Sequence, residues 1–352
     1  MILKINPLKP EPDKIKIAAD AIRRGGLVAF PTETVYGLGA DAFNGNACKQ
    51  IFLVKGRPQD NPLIVHVDSI EMANKLGVFP EGYKRLLNDI WPSPITFVVK
   101  KRSALPDAVT ASLDTVALRM PAHPVALSLI KAAGVPIAAP SANLSGKPSP
   151  TEAKTIIKEI GDKVEIILDA GQTFFGLEST VIDLQSFTIL RPGPFTPEEI
   201  AKKFGKKPNL LTNTTSIDIK PASPGMKYKH YAPDKPLFLF YGDKEKLIKL
   251  VNELDTRFCF LGSKETCNHI YSVKATKIPL GSYKNAYEIA KNLFSSLRAI
   301  DNYPTKFAIG ESFDTHGIGL AIMNRLNKAA GGNTFSDISE LNKLLRKSHV
   351  SE

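Results

Sequence analysis

The sequence predicts an α/β protein built from two sheet-centred domains. Its 352 residues, of which 43% are hydrophobic and 23% charged, are enough for two hydrophobic cores. Short apolar runs alternate with stretches of helical periodicity on both sides of a basic segment that contains prolines. The order of these runs differs between the two halves, which favours a mixed sheet in the first domain and a parallel sheet in the second.

Residues 1–205 are predicted to form the first domain, a twisted mixed α/β sheet. Asp13 is a candidate N-cap for a first helix whose apolar face includes Ile17 and which ends at Gly25 and Gly26. Eight apolar runs are predicted as strands: 27–30, 63–67, 95–99, 116–120, 135–139, 165–169, 179–184 and 187–191. Helical periodicity predicts helices at 47–54, 69–76, 81–91, 124–133, 151–160 and 197–204. Several strands follow one another without a helix between them, so the sheet is not expected to be purely parallel.

Residues 206–235 are predicted to be a linker. From Lys202 to Lys235 there are eight lysines and two aspartates, so this stretch holds six of the net +11 charges of the chain. It carries several prolines and no sustained apolar periodicity. Such a linker is either simply well solvated or able to reach an anionic ligand or RNA.

Residues 236–352 are predicted to form a smaller, Rossmann-like parallel domain. Predicted strands at 237–242, 258–262, 271–279 and 307–312 each precede a helical stretch, such as 283–300 or 317–329. No GxGxxG sequence opens a helix after the first of these strands, which argues against a dinucleotide site there.

Composition excludes several classes of protein. No apolar run approaches the ~20 residues that span a bilayer, and the first residues lack the apolar centre of a signal peptide. The three cysteines, Cys48, Cys259 and Cys267, are odd in number and widely spaced, which argues against a disulfide framework. No group of residues has metal-ligand spacing, so no protein-held metal is predicted. We expect a cytoplasmic protein with no membrane contact.

Four polar segments stand at strand ends, where α/β sheets usually bind ligands. They are PTETVYGLG (31–39), KGRPQDNPL (55–63) with His66 after it, PIAAPSANLSGKPSPT (136–151), and GLESTVIDL (176–184) with Arg191 after it. A purely structural role is the alternative for some of them, since Thr32 and Thr34 can equally hydrogen-bond their own turn.

With Arg119, near the end of the predicted strand 116–120, these segments offer hydroxyls, amides, one histidine and the further cations Lys55, Arg57 and Arg191. That set suits a small polar ligand beside a polyphosphate, because guanidinium groups bind phosphate and carboxylate in two-pronged fashion. The sequence shows no GxSxG elbow, no phosphate-binding GxxxxGK[ST] loop and no paired-carboxylate signature. The chemistry predicted is therefore positioning and charge stabilisation, without a covalent protein intermediate.

The same segments resemble a known family. PTETVYGLGAD, KGRPQDNPLIVHV, ALRMPAHP, APSANLSGKPSPT and GLESTVIDL with ILRPG resemble, in that order, the YrdC-like domain over residues 10–205. SPGMKYKHYAPDKPL (223–237) and the residues after it resemble the linker and C-terminal domain of the longer, two-domain threonylcarbamoyl-AMP synthases. The resemblance covers nearly the whole chain.

The resemblance implies a nucleotidyltransferase that condenses L-threonine, bicarbonate and ATP to threonylcarbamoyl-AMP and pyrophosphate. The product serves tRNA threonylcarbamoyladenosine modification, with a downstream tRNA threonylcarbamoyl-transferase complex as partner and Mg²⁺ held mainly by the phosphates of ATP. Lys55 and Arg57 are the implied catalytic residues. The implied threonine-binding residues are Thr32, Thr34, His66, Arg119, Ala139 and Ser179. The implied ATP-binding residues are Lys55, Arg57, Asn61, Thr115, Ser141, Asn143, Ser149, Arg191 and, as a lid, Tyr231.

Of two other functions, the sequence leaves one open and argues against the other. The net charge favours a double-stranded RNA or ribosome-binding module, and RNA contact is also compatible with the synthase. A carbamoyl-phosphate-using hydrogenase maturation factor would contain acylphosphatase and zinc-finger segments, which this sequence lacks.

Overall fold

The computed structural model describes residues 1–102, 105–211 and 230–348. The chain divides into two compact units, and each has its own sheet. Among the described residues, the first unit contains 1–145 and 149–211, and the second contains 146–148 together with 230–348. The predicted division differs at residues 146–148, because it treats 1–205 as continuous.

The first unit is built on one sheet of twelve strands. These are β1 (Ile2–Lys4), β2 (Val28–Phe30), β3 (Gly37–Asp41), β4 (Ile64–His66), β5 (Gly77–Val78), β6 (Ile95–Lys101), β7 (Thr115–Arg119), β8 (Ile137–Ala138), β9 (Ile166–Asp169), β10 (Thr180–Asp183), β11 (Thr188–Arg191) and β12 (Asn209–Leu210). They lie in the order β1-β9-β2-β3-β8-β4-β7-β6-β10-β11-β12, with β5 on β6. Parallel pairs such as β4–β7 alternate with antiparallel pairs such as β4–β8, so the predicted mixed sheet is confirmed.

Eight helices accompany this sheet in the described residues. They are α1 (Pro12–Arg23), α2 (Gly45–Lys55), α3 (Ile70–Leu76), α4 (Glu81–Ile90), α5 (Asp107–Thr110), α6 (Pro124–Ala133), α7 (Ala153–Ile160) and α8 (Pro197–Phe204). The predicted cap of the first helix is wrong: Glu11 is the N-cap residue, and Asp13 lies in the first turn. Pro12 is preferred at the first helical position because it has no N–H that needs an acceptor. Ile17 is exposed, whereas Ile15 and Ala18 are buried.

The two faces of the sheet are covered differently. Because side chains alternate along a strand, Val65, Phe97 and Leu118 share one face, and they belong to the large core that includes α2, α4 and α7. On the opposite face, α1 and α6 pack in one cluster with β2, β8 and β9. A separate small apolar cluster on that face consists of Ile64, Val98, Ala117 and Val181. We call the part of the sheet that carries this cluster the β4–β10 face.

The second unit has a sheet of five parallel strands, which confirms the predicted parallel domain. The strands are β13 (Leu237–Phe240), β14 (Phe258–Gly262), β15 (Ala275–Pro279), β16 (Ala308–Glu311) and β17 (Thr334–Phe335), in the order β15-β14-β16-β13-β17. The helices are α9 (Lys244–Glu253), α10 (Lys264–Asn268), α11 (Ala286–Ala299), α12 (Gly319–Ala330) and α13 (Ile338–Lys347).

A carboxylate of the chain itself lies in the crevice between β14 and β16. Glu311, at the carboxyl end of β16, is buried and accepts hydrogen bonds from Ser263 N at 2.6 Å and from Thr266 Oγ1 at 2.8 Å. This crevice, at a helix N-terminus, is where open parallel sheets commonly bind a phosphate. Glu311 already supplies the negative charge at this position.

The predicted linker is described only at its two ends. Residues 212–229 lie outside the described residues, so the predictions about the lysines and prolines there stay predictions. At the first end, β12 pairs with β11, so the sheet extends to Leu210. At the other end, residues 230–235 belong to the second unit. None of the described helices is both long and apolar enough to cross a membrane.

Candidate active site

Strand pairing sorts the predicted site residues into two groups on the β4–β10 face. β4 and β7 are parallel and place His66 opposite Arg119 at their carboxyl ends. β8 is antiparallel to β4, so the chain that leaves β8 runs past the amino end of β4. Residues just before β4, at the start of β7 and just after β8 therefore meet at the amino end of β4. Along β7, Thr115 and Arg119 are four residues and about 13 Å apart.

Arg119, the last residue of β7, forms a buried ion pair. Arg119 is 4% exposed, and its Nη2 lies 2.7 Å from Glu33 Oε1 without the alignment of a hydrogen bond. Glu33 comes from the loop between β2 and β3. Glu33 is not among the residues predicted from the sequence, because a single glutamate in a polar loop is usually a surface residue.

His66 is the neutral member of this cluster. Burial, and secondarily the charge of Arg119, lower the pKa of His66 to about 3, so its ring is uncharged near neutral pH. The rings of His66 and Phe30 pack edge to face, with their centroids 6.0 Å apart. A Cβ at Gly39 would lie 2.7 Å from the ring of Phe30 and from Ile137, which explains the glycine at that position in β3.

Several buried polar atoms of this cluster make no hydrogen bond within the described residues. They are both carboxylate oxygens of Glu33, Nδ1 of His66, and Nε and Nη2 of Arg119. Buried charged groups are costly unless they are fully hydrogen-bonded, so such atoms in one place indicate a ligand. That ligand would be small and would carry both hydrogen-bond donors and acceptors.

The two threonines of the same loop mainly shape it. Thr32 Oγ1 donates to Val35 O at 2.6 Å and accepts from Thr34 N at 3.2 Å. The hydroxyls of Thr32 and Thr34 lie 2.8 Å apart, and both residues are buried. This is the structural alternative that the sequence allowed for Thr32, and it fixes the loop that presents Glu33.

Ser179 and Arg191 form a second buried contact on the β4–β10 face. Ser179 Oγ lies 2.8 Å from Thr96 Oγ1. Arg191 Nη2 donates to Ser179 O at 2.9 Å and to Ser179 Oγ at 3.1 Å, which ties the end of β11 to the start of β10. Arg191 is therefore a buried, oriented cation and not a surface residue.

At the amino end of β4, Lys55 is folded into the loop that follows β8. Lys55 is the last residue of α2, is 2% exposed, and donates through Nζ to the carbonyl oxygens of Ser141 and Asn143. Ser145 N donates back to Lys55 O at 2.8 Å, and Ser141 Oγ donates to Asn143 Oδ1 at 2.5 Å. The structure thus brings together three of the predicted nucleotide residues, Lys55, Ser141 and Asn143.

Arg57, Asn61 and Thr115 lie beside them. Arg57 Nη2 donates to the carbonyl oxygens of Pro62 at 3.3 Å and Asn61 at 3.4 Å, so it spans the turn before β4. Asn61 is buried, and its Oδ1 has no hydrogen-bond partner among the described residues. Thr115 starts β7, next to the amino end of β4, and is half-buried.

Ser149 and Tyr231 are placed by other contacts. Ser149 Oγ donates to Glu178 Oε1 at 2.6 Å, and both residues are buried. Glu178, like Glu33, was not selected from the sequence. Tyr231 belongs to the second unit, where it is 4% exposed and stacks on Phe294 with ring centroids 5.1 Å apart. Its predicted role as a lid stays a prediction.

No protein cage for a metal ion is evident in the part of the chain that the structure describes. There, no three histidine, cysteine, aspartate or glutamate side chains gather as a metal site would need. A Mg²⁺ ion would therefore have to be held mainly by ligand oxygens.

Comparisons with known proteins identify the family of the chain. A family model for the Sua5, YciO and YrdC group, described as telomere recombination, matches residues 20–193, and one described as threonylcarbamoyl-AMP synthase, C-terminal domain, matches residues 195–331. The threonylcarbamoyl-AMP synthase of Pyrococcus abyssi (strain GE5 / Orsay) is 46% identical over 323 residues, 90% of this chain and 94% of that protein. The chain belongs to the threonylcarbamoyl-AMP synthase family.

Further comparisons define the kind of member. The threonylcarbamoyl-AMP synthase of Bacillus subtilis (strain 168) is 45% identical over 326 residues, 91% of this chain and 93% of that protein. The crystal structure of P. abyssi Sua5 complexed with L-threonine superposes with a TM-score of 0.87 at 42% identity, covering 96% of this chain and 99% of that one. A putative threonylcarbamoyl-AMP synthase of Mycobacterium tuberculosis (strain ATCC 25618 / H37Rv) matches 53% of this chain and 88% of its own length, so shorter members of the family exist.

Proposed function

We propose that the β4–β10 face binds L-threonine next to His66 and Arg119 and ATP next to Lys55 and Asn143, and that the protein joins them with bicarbonate. The product is threonylcarbamoyl-AMP, and pyrophosphate is released. The observation that carries this proposal is the buried cluster of Glu33, His66 and Arg119, in which five polar atoms lack hydrogen-bond partners among the described residues. An amino acid supplies a carboxylate, an amine and a hydroxyl to such atoms.

In this arrangement Arg119 binds the carboxylate of threonine through its two-pronged guanidinium group. Neutral His66 hydrogen-bonds the threonine hydroxyl, and a site of this kind rejects amino acids that lack the hydroxyl. Glu33 keeps Arg119 oriented and accepts a hydrogen bond from the amine. Other contacts with threonine are assigned to Thr32, Thr34, the Ala139 backbone and Ser179.

The nucleotide residues act through charge and position. Bicarbonate loses hydroxide to give carbon dioxide, the uncharged amine of threonine attacks its carbon, and the proton that the amine releases combines with the hydroxide to form water. An oxygen of the resulting carbamate then attacks the α-phosphorus of ATP. The bond between the α- and β-phosphates breaks, and pyrophosphate leaves. Both reactants are anions, so Lys55 and Arg57 lower the barrier by offsetting their repulsion. Asn61, Thr115, Ser141, Asn143, Ser149, Arg191 and Tyr231 are the proposed contacts that place the nucleotide.

Mg²⁺ is proposed to bind through the phosphates, because the described side chains offer no cage of their own. It would neutralise phosphate charge next to Lys55 and Arg57. Use of the product by a tRNA-modifying transferase is part of the same proposal. Direct binding of RNA stays a prediction that rests on the net charge of +11.

The test incubates purified protein with labelled bicarbonate, ATP and L-threonine and measures the labelled adenylate and pyrophosphate. Both products should require all three substrates. Arg57→Ala should reduce the rate by about 10²- to 10³-fold, as removal of a charge-stabilising donor does, while Lys49→Ala, an exposed lysine on α2, should leave it unchanged. Glu33→Gln should raise the KM for threonine more than the KM for ATP. Pyrophosphate release that ignores threonine or bicarbonate would show that the proposal is wrong.

A further inference from the structure

Residues 146–148 separate two stretches of the first unit along the chain. They belong to the second unit, whereas Ser145 before them and Ser149 after them belong to the first. Ser145 N is hydrogen-bonded to Lys55 O at 2.8 Å, and Ser149 Oγ to Glu178 at 2.6 Å. The three residues therefore connect two fixed points of the proposed nucleotide site.

Each residue of 146–148 has a partner within the second unit. Gly146 O accepts a hydrogen bond from Ala232 N at 3.0 Å, Lys147 Nζ pairs with Asp234, and Pro148 O accepts from Arg298 Nη2. Lys147 is partly exposed and Asp234 is mostly exposed, so that ion pair is weak by itself. The bonds to the backbone at Gly146 and Pro148 define the path of the chain.

The residues around Asp234 are fixed in turn by the end of α11. The carboxylate of Asp301 accepts hydrogen bonds from Asp234 N at 3.0 Å and from Lys235 N at 3.2 Å. Tyr231 stacks on Phe294 with an angle of 28° between the rings. Two separate segments, 146–148 and 231–235, thus depend on α11 and the turn after it.

The residues that make these contacts share one side of the helix. Phe294 and Arg298 are four residues apart on α11, and Asp301 follows three residues later in the turn after the helix. Helical residues at i, i+4 and i+7 lie on the same face. We call Phe294, Arg298 and Asp301 the α11 face.

We propose that the α11 face positions the nucleotide site by holding residues 146–148. This inference rests on the proposed function, because it assigns ATP to the loop that contains Ser141, Asn143 and Ser149. A loop that is already ordered loses less conformational entropy when a ligand binds. Arg298 is a positioning residue in this account, since it acts through the Pro148 carbonyl and not on the substrate.

The test compares the full-length wild type with Arg298→Met, which keeps an unbranched stem and removes the guanidinium group. Amide hydrogen exchange of residues 141–150 should become faster in the variant, while exchange in β6 should not change. The Kd for ATP, measured by calorimetry, should rise about tenfold, and the Kd for threonine should stay within about twofold. Lys291→Met, a half-buried lysine two turns earlier on the same helix, is the matched control and should behave as the wild type.

A second variant protects the test against a folding defect. Asp234→Asn removes only the charge that pairs with Lys147, at a position that is 74% exposed, and should give smaller changes in the same direction. Unchanged exchange at 141–150 in both variants, at unaltered Tm, would overturn the proposal. Faster exchange with unchanged ATP affinity would also overturn the positioning role. A wild type that binds no ATP would instead contradict the proposed function, and the exchange data would still report whether α11 holds the loop.

Discussion

Burying the ion pair of Glu33 and Arg119 costs desolvation free energy, which indicates a role in binding. Both side chains are almost fully buried, at 6% and 4% exposure, and the pair has contact without full hydrogen bonding. Desolvation of two charges commonly offsets their attraction, so a buried pair of this kind adds little to stability. We therefore interpret it as a binding feature that is completed by threonine.

His66 leads to a prediction about stability and pH. Its folded pKa of about 3 lies below its usual value of 6.5, so unfolding takes up a proton between these values, and the free energy of unfolding falls as pH falls below 6.5. Between pH 7.5 and pH 5 the loss from His66 is about 2 kcal/mol. Urea unfolding of the wild type and of His66→Gln at the two pH values measures this loss. The variant is the reference because glutamine does not titrate.

Each protein is compared with itself at the two pH values, because the substitution alone changes the free energy of unfolding at every pH. The wild type should lose about 2 kcal/mol more than His66→Gln between the two pH values. Equal losses in the two proteins would mean that His66 is protonated in the folded state at pH 5. The proposed neutral hydrogen bond to the threonine hydroxyl would then need revision.

At this scale the sequence revealed the residue types but not all the partners. Lys55, His66 and Arg119 were selected because they stand in polar segments at strand ends. Glu33 and Glu178 were not, because their burial depends on partners distant in the sequence, Arg119 and Ser149. Tyr231 was selected as a lid, yet its stacking on Phe294 cannot be read from the local sequence.

At the scale of elements, the junction of β10 and β11 depends on a close approach of two backbones. A Cβ at Gly193 would lie 2.3 Å from Thr180 N and 2.6 Å from the carbonyl carbon of Ser179. These are backbone atoms, so they cannot move aside as a flexible side chain would. Gly193→Ala should therefore cost about 2 to 3 kcal/mol in the free energy of unfolding, and it should weaken threonine binding by displacing Ser179.

Gly82→Ala is the matched control for this prediction. Gly82 lies in α4 and has nothing within 4 Å of the position that its Cβ would take. Alanine is the better helix former, so this variant should be as stable as the wild type or up to about 1 kcal/mol more stable. Urea denaturation measures both variants, and equal stability of the two would refute the close-approach argument.

Strands were predictable from sequence where burial makes them apolar. β6 and β14 are such runs, and the structure places strands at both. β3 was missed because GLGAD lacks the β-branched and aromatic residues typical of strands, and it becomes a strand only by pairing between β2 and β8. Short strands such as β12 were missed because two residues are too few to show a periodicity.

At the scale of the whole molecule, the division into two units was predictable from the sequence. That residues 146–148 belong to the second unit was not. Composition and the basic segment indicate two domains. The partners of Gly146 and Pro148 are Ala232 and Arg298, more than 80 residues later in the chain. A local pattern carries no information about such contacts, so the sequence assigns the loop wholly to the first domain.

This division predicts how a chain that ends at residue 211 would behave. Glu33, His66, Arg119 and Ser179 all lie in the first unit, so the shortened protein should bind threonine with a Kd within about threefold of the full-length value. It lacks the partners of 146–148, and we expect its Kd for ATP to rise by at least about tenfold. Calorimetry with each ligand measures both constants, and threonine binding is the internal control that the shortened protein is folded. Equal ATP affinity in the two proteins would show that the second unit does not order the nucleotide loop, and loss of both ligands would show that the first unit needs the second in order to fold.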